Sequence, residues 1–232
     1  MTNARDLDAL KRAAALKALE YVRDGMVVGL GTGSTAKQAV LGLAERVKAG
    51  LKIRGVPTSH ETAELARRHG IDLIETDDAW SIDVAIDGAD QVDPHLNLIK
   101  GGGGALLKEK IVAAASRRLI IVVDYTKMVP ALGNSFPLPI EVVPFGWGST
   151  ARQLEALGGK AVLRRRNGRI FTTEAGHYIL DLQFGRIDRP AELETQLNLI
   201  PGVVETGLFV GRTSLVIVGT PDGVEIHHPP ES

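Results

Sequence analysis

Apolar positions along the chain fall into two alternating rhythms, short continuous runs and longer stretches at helical spacing. Residues 6–23 set Leu10, Ala13, Ala14 and Leu16 near helical spacing and end in Asp24-Gly25, a stop signal, which predicts a first helix. Residues 26–30 are a short apolar run leading into a glycine-rich turn, and residues 36–48 return to helical spacing as far as Gly50. The same alternation predicts strands over residues 53–57, 71–74, 82–87 and 119–124, and helices over 61–69 and 105–117. Strands separated by helices predict a mainly parallel, doubly covered α/β sheet of Rossmann-like type.

The rhythm changes after Pro130, and the turn-rich stretch 133–139 reads as a boundary. Beyond it come a strand (140–143), a helix (150–157), two strands (161–165 and 178–183), a helix (191–199) and a strand (203–210). That β-α-β-β-α-β order predicts a smaller, ferredoxin-like α+β domain. The apolar run 214–219 is expected to rejoin the first sheet, leaving 229–232 as a frayed tail. The expected division is therefore residues 1–133 plus 211–232 as the larger domain and 134–210 as the smaller.

Composition narrows the function more than the fold. A chain of 232 residues with 44% hydrophobic and 24% charged residues has room for two unequal cores and excludes a disordered or fibrous chain. A net charge of −1 supplies no global field for nucleic acid or an anionic membrane, so an anionic ligand must be held locally. The absence of cysteine excludes disulfides, thiolate nucleophiles and zinc–thiolate sites. Residues 1–8 are polar and acidic where a signal peptide needs basic then apolar residues, and no apolar run approaches membrane-spanning length, so a soluble, cytoplasmic protein is expected.

In open parallel sheets ligands bind beyond the carboxyl ends of the strands, and four segments lie there. The first is Gly29-Leu30-Gly31-Thr32-Gly33-Ser34-Thr35, whose small residues let the backbone approach a ligand and present amides at the next helix, a natural phosphate seat. It fails as a dinucleotide fingerprint, because Ser34 stands at the third glycine and no acid ends the strand 53–57. It also lacks the lysine of a Walker loop. A tight strand-to-helix turn capped by Ser34 or Thr35 is the alternative reading. The second segment, Asp87-Gly88-Ala89-Asp90, puts two carboxylates within one turn, able to hold sugar hydroxyls, move protons or bind a cation; an ordinary acidic turn is the alternative.

The third is Lys100-Gly101-Gly102-Gly103-Gly104, which follows the apolar pair Leu98-Ile99 and favours a backbone cradle over a linker. It runs into the helix bearing Lys108-Glu109-Lys110. Helical residues are about 100° apart, so these charges cannot share one solvated stripe and at least one is expected to point inward. The helical neighbours of Glu109, which are Ala105, Leu106, Val112 and Ala113, are apolar and would make its carboxylate a better base; a surface glutamate flanked by lysines is the alternative. The fourth, Asp124-Tyr125-Thr126-Lys127, offers a lysine as a point charge for phosphate. The six histidines show no ligand spacing, so neither metal nor cofactor is expected.

Together and in this order, the four segments resemble type A ribose-5-phosphate isomerase over nearly the whole chain. The resemblance implies a metal-free, nicotinamide-free aldose–ketose isomerase that interconverts D-ribose 5-phosphate and D-ribulose 5-phosphate through an enediolate. It makes Glu109 the general base, Asp87 and Lys100 its catalytic companions, and Thr32, Gly33, Ser34, Thr35, Asp87, Gly88, Ala89, Asp90, Lys100, Gly101, Gly102, Gly103 and Lys127 the substrate-binding set. Lys11 corresponds to a further phosphate-side lysine. A homodimer or tetramer is implied, with no nucleic-acid or membrane partner. Gln91, where a glutamate is frequent, and Tyr125-Thr126 depart from the family's pattern and bear on substrate preference. A sugar-phosphate deaminase or lactonase is the rival enzyme. A sugar-phosphate sensor is the rival of another class, although a sensor has no use for an inward base at Glu109.

Overall fold

The computed structural model describes residues 4–74 and 79–230. In chain order its helices are α1 (Ala4–Ala18), α2 (Ser34–Lys48), α3 (His60–Arg68), α4 (Leu106–Ala114), α5 (Trp147–Glu155) and α6 (Pro190–Asn198). Its strands are β1 (Val27–Leu30), β2 (Arg54–Pro57), β3 (Asp72–Leu73), β4 (Val84–Asp87), β5 (Gln91–Val92), β6 (Leu98–Ile99), β7 (Leu119–Asp124), β8 (Leu138–Val142), β9 (Lys160–Leu163), β10 (Arg165–Arg166), β11 (Arg169–Ile170), β12 (Tyr178–Gln183), β13 (Val203–Thr206), β14 (Leu208–Phe209), β15 (Leu215–Thr220) and β16 (Gly223–His227).

Contacts divide the chain into two compact units, residues 1–89, 108–127 and 212–232 in the larger and 90–107 and 128–211 in the smaller. The smaller unit so drawn takes in residues 90–107 and 128–133, which the sequence pattern groups with the larger.

The larger unit holds a seven-stranded sheet in the order β16-β15-β7-β4-β1-β2-β3. Every pairing is parallel except β15 with β16. All six residues of β7 are buried, the mark of a strand covered on both faces. Val28, Leu30, Ile86, Ile120, Val122 and Ile217 form the core with Ala14, Ala15 and Ala18 of α1. The missing side chain of Gly219 admits the backbone of Leu10, so the N-terminal half of α1 lies near the carboxyl end of β15. The predicted return of the last apolar run is thus observed as β15, and a further edge strand, β16, lies between that run and the predicted tail, where the sequence pattern assigns no element.

The smaller unit contains a four-stranded antiparallel sheet in the order β13-β8-β12-β9. With α5 between β8 and β9 and α6 between β12 and β13, this is the ferredoxin-like arrangement that the pattern predicts. The period of two puts Leu138, Ile140 and Val142 of β8 in a core with Leu154 of α5 and Leu197 of α6. A separate three-stranded sheet, β14-β6-β5, was not predicted. Its strands are two residues long, too short to show a period. The predicted strand 203–210 is broken at Gly207, where the backbones of Lys100 and Pro139 occupy the space a side chain would need. The chain there leaves β13 and pairs with β6 as β14.

Candidate active site

In the larger unit the candidate residues gather at the carboxyl edge of the parallel sheet. Leu30 pairs with Ile86, so the residues that follow β1 and β4 emerge side by side. The carboxylate of Asp87 accepts hydrogen bonds at Oδ1 from the backbone amides of Thr32 (3.1 Å) and Gly88 (2.7 Å). Gly31 is required between them, because a β-carbon there would lie 2.6 Å from the Asp87 Cα. Asp87 is only 3% exposed, so two amides directed at one oxygen hold a buried carboxylate in a fixed orientation.

The next residues open α2. Gly33 is its N-cap at φ 104°, where side chains are disfavoured, and supplies no capping side chain. Ser34 is exposed and Thr35 buried, and neither caps the helix from within, so the capped-turn alternative does not describe this loop. Beneath it lies a hydroxyl network that sequence reading did not single out. Thr32 Oγ1 is 2.7 Å from Thr58 Oγ1 and donates to Ser59 Oγ at 2.9 Å. Ser59 caps α3 by accepting from the Thr62 amide, and the Thr62 hydroxyl donates to the Gly31 carbonyl at 2.9 Å. The signal was present as Ser59 and Thr62 at capping spacing directly after an apolar run, at the same edge of the sheet.

Glu109 lies in the first turn of α4 and is 6% exposed. One turn later, Val112 fills the space left by the missing side chain of Gly29 in β1, which fixes this helix against the sheet. Because α4 precedes β7 and runs back toward its start, its first turn lies toward the carboxyl edge. The sequence asks for at least one of Lys108, Glu109 and Lys110 to turn inward; both Glu109 and Lys110 are buried, while Ile111 is 47% exposed. Lys127 ends a single 3-10 turn (Tyr125–Lys127) directly after β7 and is half-buried. Asp124, buried, accepts from the amide (3.0 Å) and the hydroxyl of Thr126 and so shapes that turn. Lys11 forms an ion pair with Asp8 at 3.3 Å, in the half of α1 near the end of β15.

The smaller unit carries the remaining candidates. Asp90 Oδ2 accepts from the Gly102 amide at 2.8 Å, and Lys100, 3% exposed, donates its own amide to the Gly207 carbonyl at 2.9 Å. The Lys100 ammonium stands 5.5 Å from the ring centre of Phe209. The four glycines differ in what they are for. Gly101 and Gly104 have φ of 107° and 90°, and Gly102 is closed in by Asp90 and Phe136. Gly103 has neither a left-handed backbone nor any heavy atom within 4 Å of where a β-carbon would be, and it is exposed. Gln91 spends its amide locally, donating to Ser135 Oγ at 2.7 Å and accepting from the Gly133 amide at 2.8 Å, so it braces the turn before β8.

Among the described residues no group of three or more His, Asp or Glu side chains is arranged to hold a metal ion. Against known proteins, residues 54–223 match the family described as ribose 5-phosphate isomerase A (phosphoriboisomerase A). The chain belongs to that family. It is 59% identical over 225 residues to ribose-5-phosphate isomerase A of Gloeobacter violaceus, covering 97% of this chain and 98% of that one. The Thermococcus kodakarensis ribose-5-phosphate isomerase A is 44% identical, with 95% of this chain and 98% of the relative covered. Among solved structures, ribose 5-phosphate isomerase from Plasmodium falciparum superposes with a TM-score of 0.93 at 38% identity over 97% of this chain and all (100%) of that one. A D-ribose-5-phosphate isomerase in complex with phospho-erythronic acid superposes with the same TM-score of 0.93 at 43% identity, covering 96% of this chain and 99% of that one. As a type A ribose-5-phosphate isomerase family member, the chain has the α/β fold with a mainly parallel sheet that its pattern predicts.

Proposed function

We propose that this chain interconverts D-ribose 5-phosphate and D-ribulose 5-phosphate through an enediolate, with Glu109 moving one proton between two carbons. Family membership supports the reaction, and the carboxylate of Asp87, tied to the amide of Thr32, is the observation that carries the assignment of residues. It joins the acidic turn to the loop at the start of α2, so that an acid for sugar oxygens and amides for an anion are offered from one rigid edge.

In this reading the first turn of α2, with Thr32, Gly33, Ser34 and Thr35, takes the phosphate region, helped by Lys127 and Lys11 as point charges. Asp87, with Gly88 and Ala89, assists ring opening and exchanges protons with the sugar oxygens. Asp90 holds hydroxyls, with Gly101, Gly102 and Gly103 as backbone contacts. Glu109 takes the proton from C2 of the opened aldose, leaving an enediolate, and returns it at C1 while the C2 oxygen becomes the ketone. Lys100 offsets the charge that develops on oxygen. Gly103 supports this assignment, since nothing among the described residues demands a glycine there and a ligand approaching its backbone would.

Self-association is part of the proposal, as a homodimer or tetramer assembled through the smaller unit, and so is a cytoplasmic location. Phe145 and Leu199 are 92% and 77% exposed, and Val143, also exposed, is tied by its amide to Gly202, just beyond Leu199. No described helix is long and apolar enough to cross a membrane. The direct test is ketose formation from ribose 5-phosphate by purified protein in buffer containing EDTA and no nicotinamide. Turnover is expected; the absence of any ketose, with the folded protein verified, would refute the assignment.

A further inference from the structure

Behind the glycine loop of the smaller unit lies a set of contacts to which that mechanism assigns no role of its own. Arg164, Arg165 and Arg166 are consecutive, the first two at the end of the predicted strand 161–165. Arg165 and Arg166 are exposed, but the Arg164 side chain is only 12% exposed. Its guanidinium meets Asp181 of β12 in a forked pair, Nε to Oδ2 at 2.9 Å and Nη2 to Oδ1 at 2.5 Å. The remaining nitrogen, Nη1, donates to the carbonyl of Gly101 at 2.7 Å and reaches that of Gly102 at 3.3 Å. Phe171 closes the far end of the loop, its ring lying where a side chain on Gly104 would be. The guanidinium carbons of Arg164 and Arg166 stand 5.9 and 4.5 Å from that ring's centre.

A run of four glycines has more backbone freedom than any other tetrapeptide, so the turn that the Gly104 amide closes on the Gly101 carbonyl at 3.0 Å needs support from outside. Here Asp90 holds the Gly102 amide from one side and Arg164 holds the two carbonyls from another. The Lys100 amide is anchored to Gly207, which secures the chain before the loop but not after it. Only a guanidinium has enough donors, in a planar fork, to satisfy a carboxylate and two carbonyls together.

We infer that Arg164, oriented by Asp181, is a positioning residue for catalysis: it fixes the Lys100–Gly104 loop and through it the placement of the Lys100 ammonium against the developing oxyanion. The inference rests on the reading of Lys100 given above. Because a small misplacement of a charge-stabilising group is felt in the transition state more than in substrate binding, the consequence is a split between kcat and KM.

Arg164→Met is therefore expected to lower kcat by about ten- to a hundredfold with KM for ribose 5-phosphate little changed. Affinity for phospho-erythronic acid, whose carboxylate mimics the charged enediolate, is expected to weaken in step with kcat. Arg164→Lys should recover only part of the loss, and Asp181→Asn should give a smaller loss of the same kind, which keeps the inference testable if Arg164→Met does not fold. In Lys100→Met/Arg164→Met the two losses should not multiply, since one residue acts through the other. Folded Arg164→Met or Asp181→Asn protein with undiminished kcat would overturn the inference, as would losses that multiply in the double variant. A Lys100→Met variant with normal kcat would instead show that the reading of Lys100 had failed, and the inference would fall with it.

Discussion

In the proposed reaction Glu109 is the residue on which the chemistry turns, and its buried place was readable from neighbours three and four positions away on the helix. The sharpest expectation follows from a substitution that preserves shape: Glu109→Gln retains size and hydrogen bonding but has no basic oxygen. Turnover is expected to fall by about a hundred- to ten-thousandfold while substrate affinity and the circular-dichroism spectrum are preserved. The unmutated enzyme in deuterated water should place some solvent deuterium on C1 of the ketose, and a product free of label under all conditions would contradict a proton shuttle. Other residues could not be read this way. Arg164 looks like its two neighbours in the sequence, and only the pairing of β9 with β12 reveals that it faces Asp181. Gln91, to which the resemblance ties substrate preference, makes bonds to Ser135 and Gly133 that point to a part in bracing a turn.

At the scale of elements, the long ones were legible and the short ones were not. The parallel strands announce themselves as continuous apolar runs because both of their faces are covered, and the helices by their period. Two-residue strands such as β5 and β6 have no period to show, although they are buried and Ile99 packs into the core of the smaller unit. The start of α2 gives a prediction whose two halves have opposite sign. Ser34→Asp places a negative charge at a helix N-terminus, which should stabilise the fold by about 0.3–1 kcal/mol yet repel an incoming phosphate. Thermal denaturation should show an unchanged or raised Tm while KM for ribose 5-phosphate rises; an unchanged KM would remove the phosphate from this loop. The glycine loop offers a similar separation. Gly103→Ala has open space and no positive φ, so stability should change by less than about 1 kcal/mol, whereas a ligand close to that backbone should be bound less well. Inhibition and KM measurements beside a melting curve would distinguish a cradle from a spacer.

For the whole molecule, the proposed assembly through the smaller unit yields a prediction. Phe145→Glu adds a charge at a nearly fully exposed site, so it should cost the isolated subunit little, within about 0.5 kcal/mol, but oppose burial of that surface against another copy. Sedimentation should shift toward smaller species, with turnover per folded subunit retained; an unaltered profile would move the proposed contact elsewhere. The pairing of β15 with β7 has a different kind of consequence, one for biosynthesis. Leu119 and Ser214, which meet at the start of these strands, are 95 residues apart in the chain. Until that distance has been synthesised, the growing polypeptide carries β7 with one side unpaired, a strand of five apolar residues, Leu-Ile-Ile-Val-Val, before Asp124, open to any other strand. A chain ended after Gly211 would keep that edge permanently and is expected to aggregate on expression, whereas the complete chain remains dispersed. The smaller unit's sheet is complete before β15 emerges, so the order of synthesis gives the ferredoxin-like piece its strands first and closes the seven-stranded sheet last.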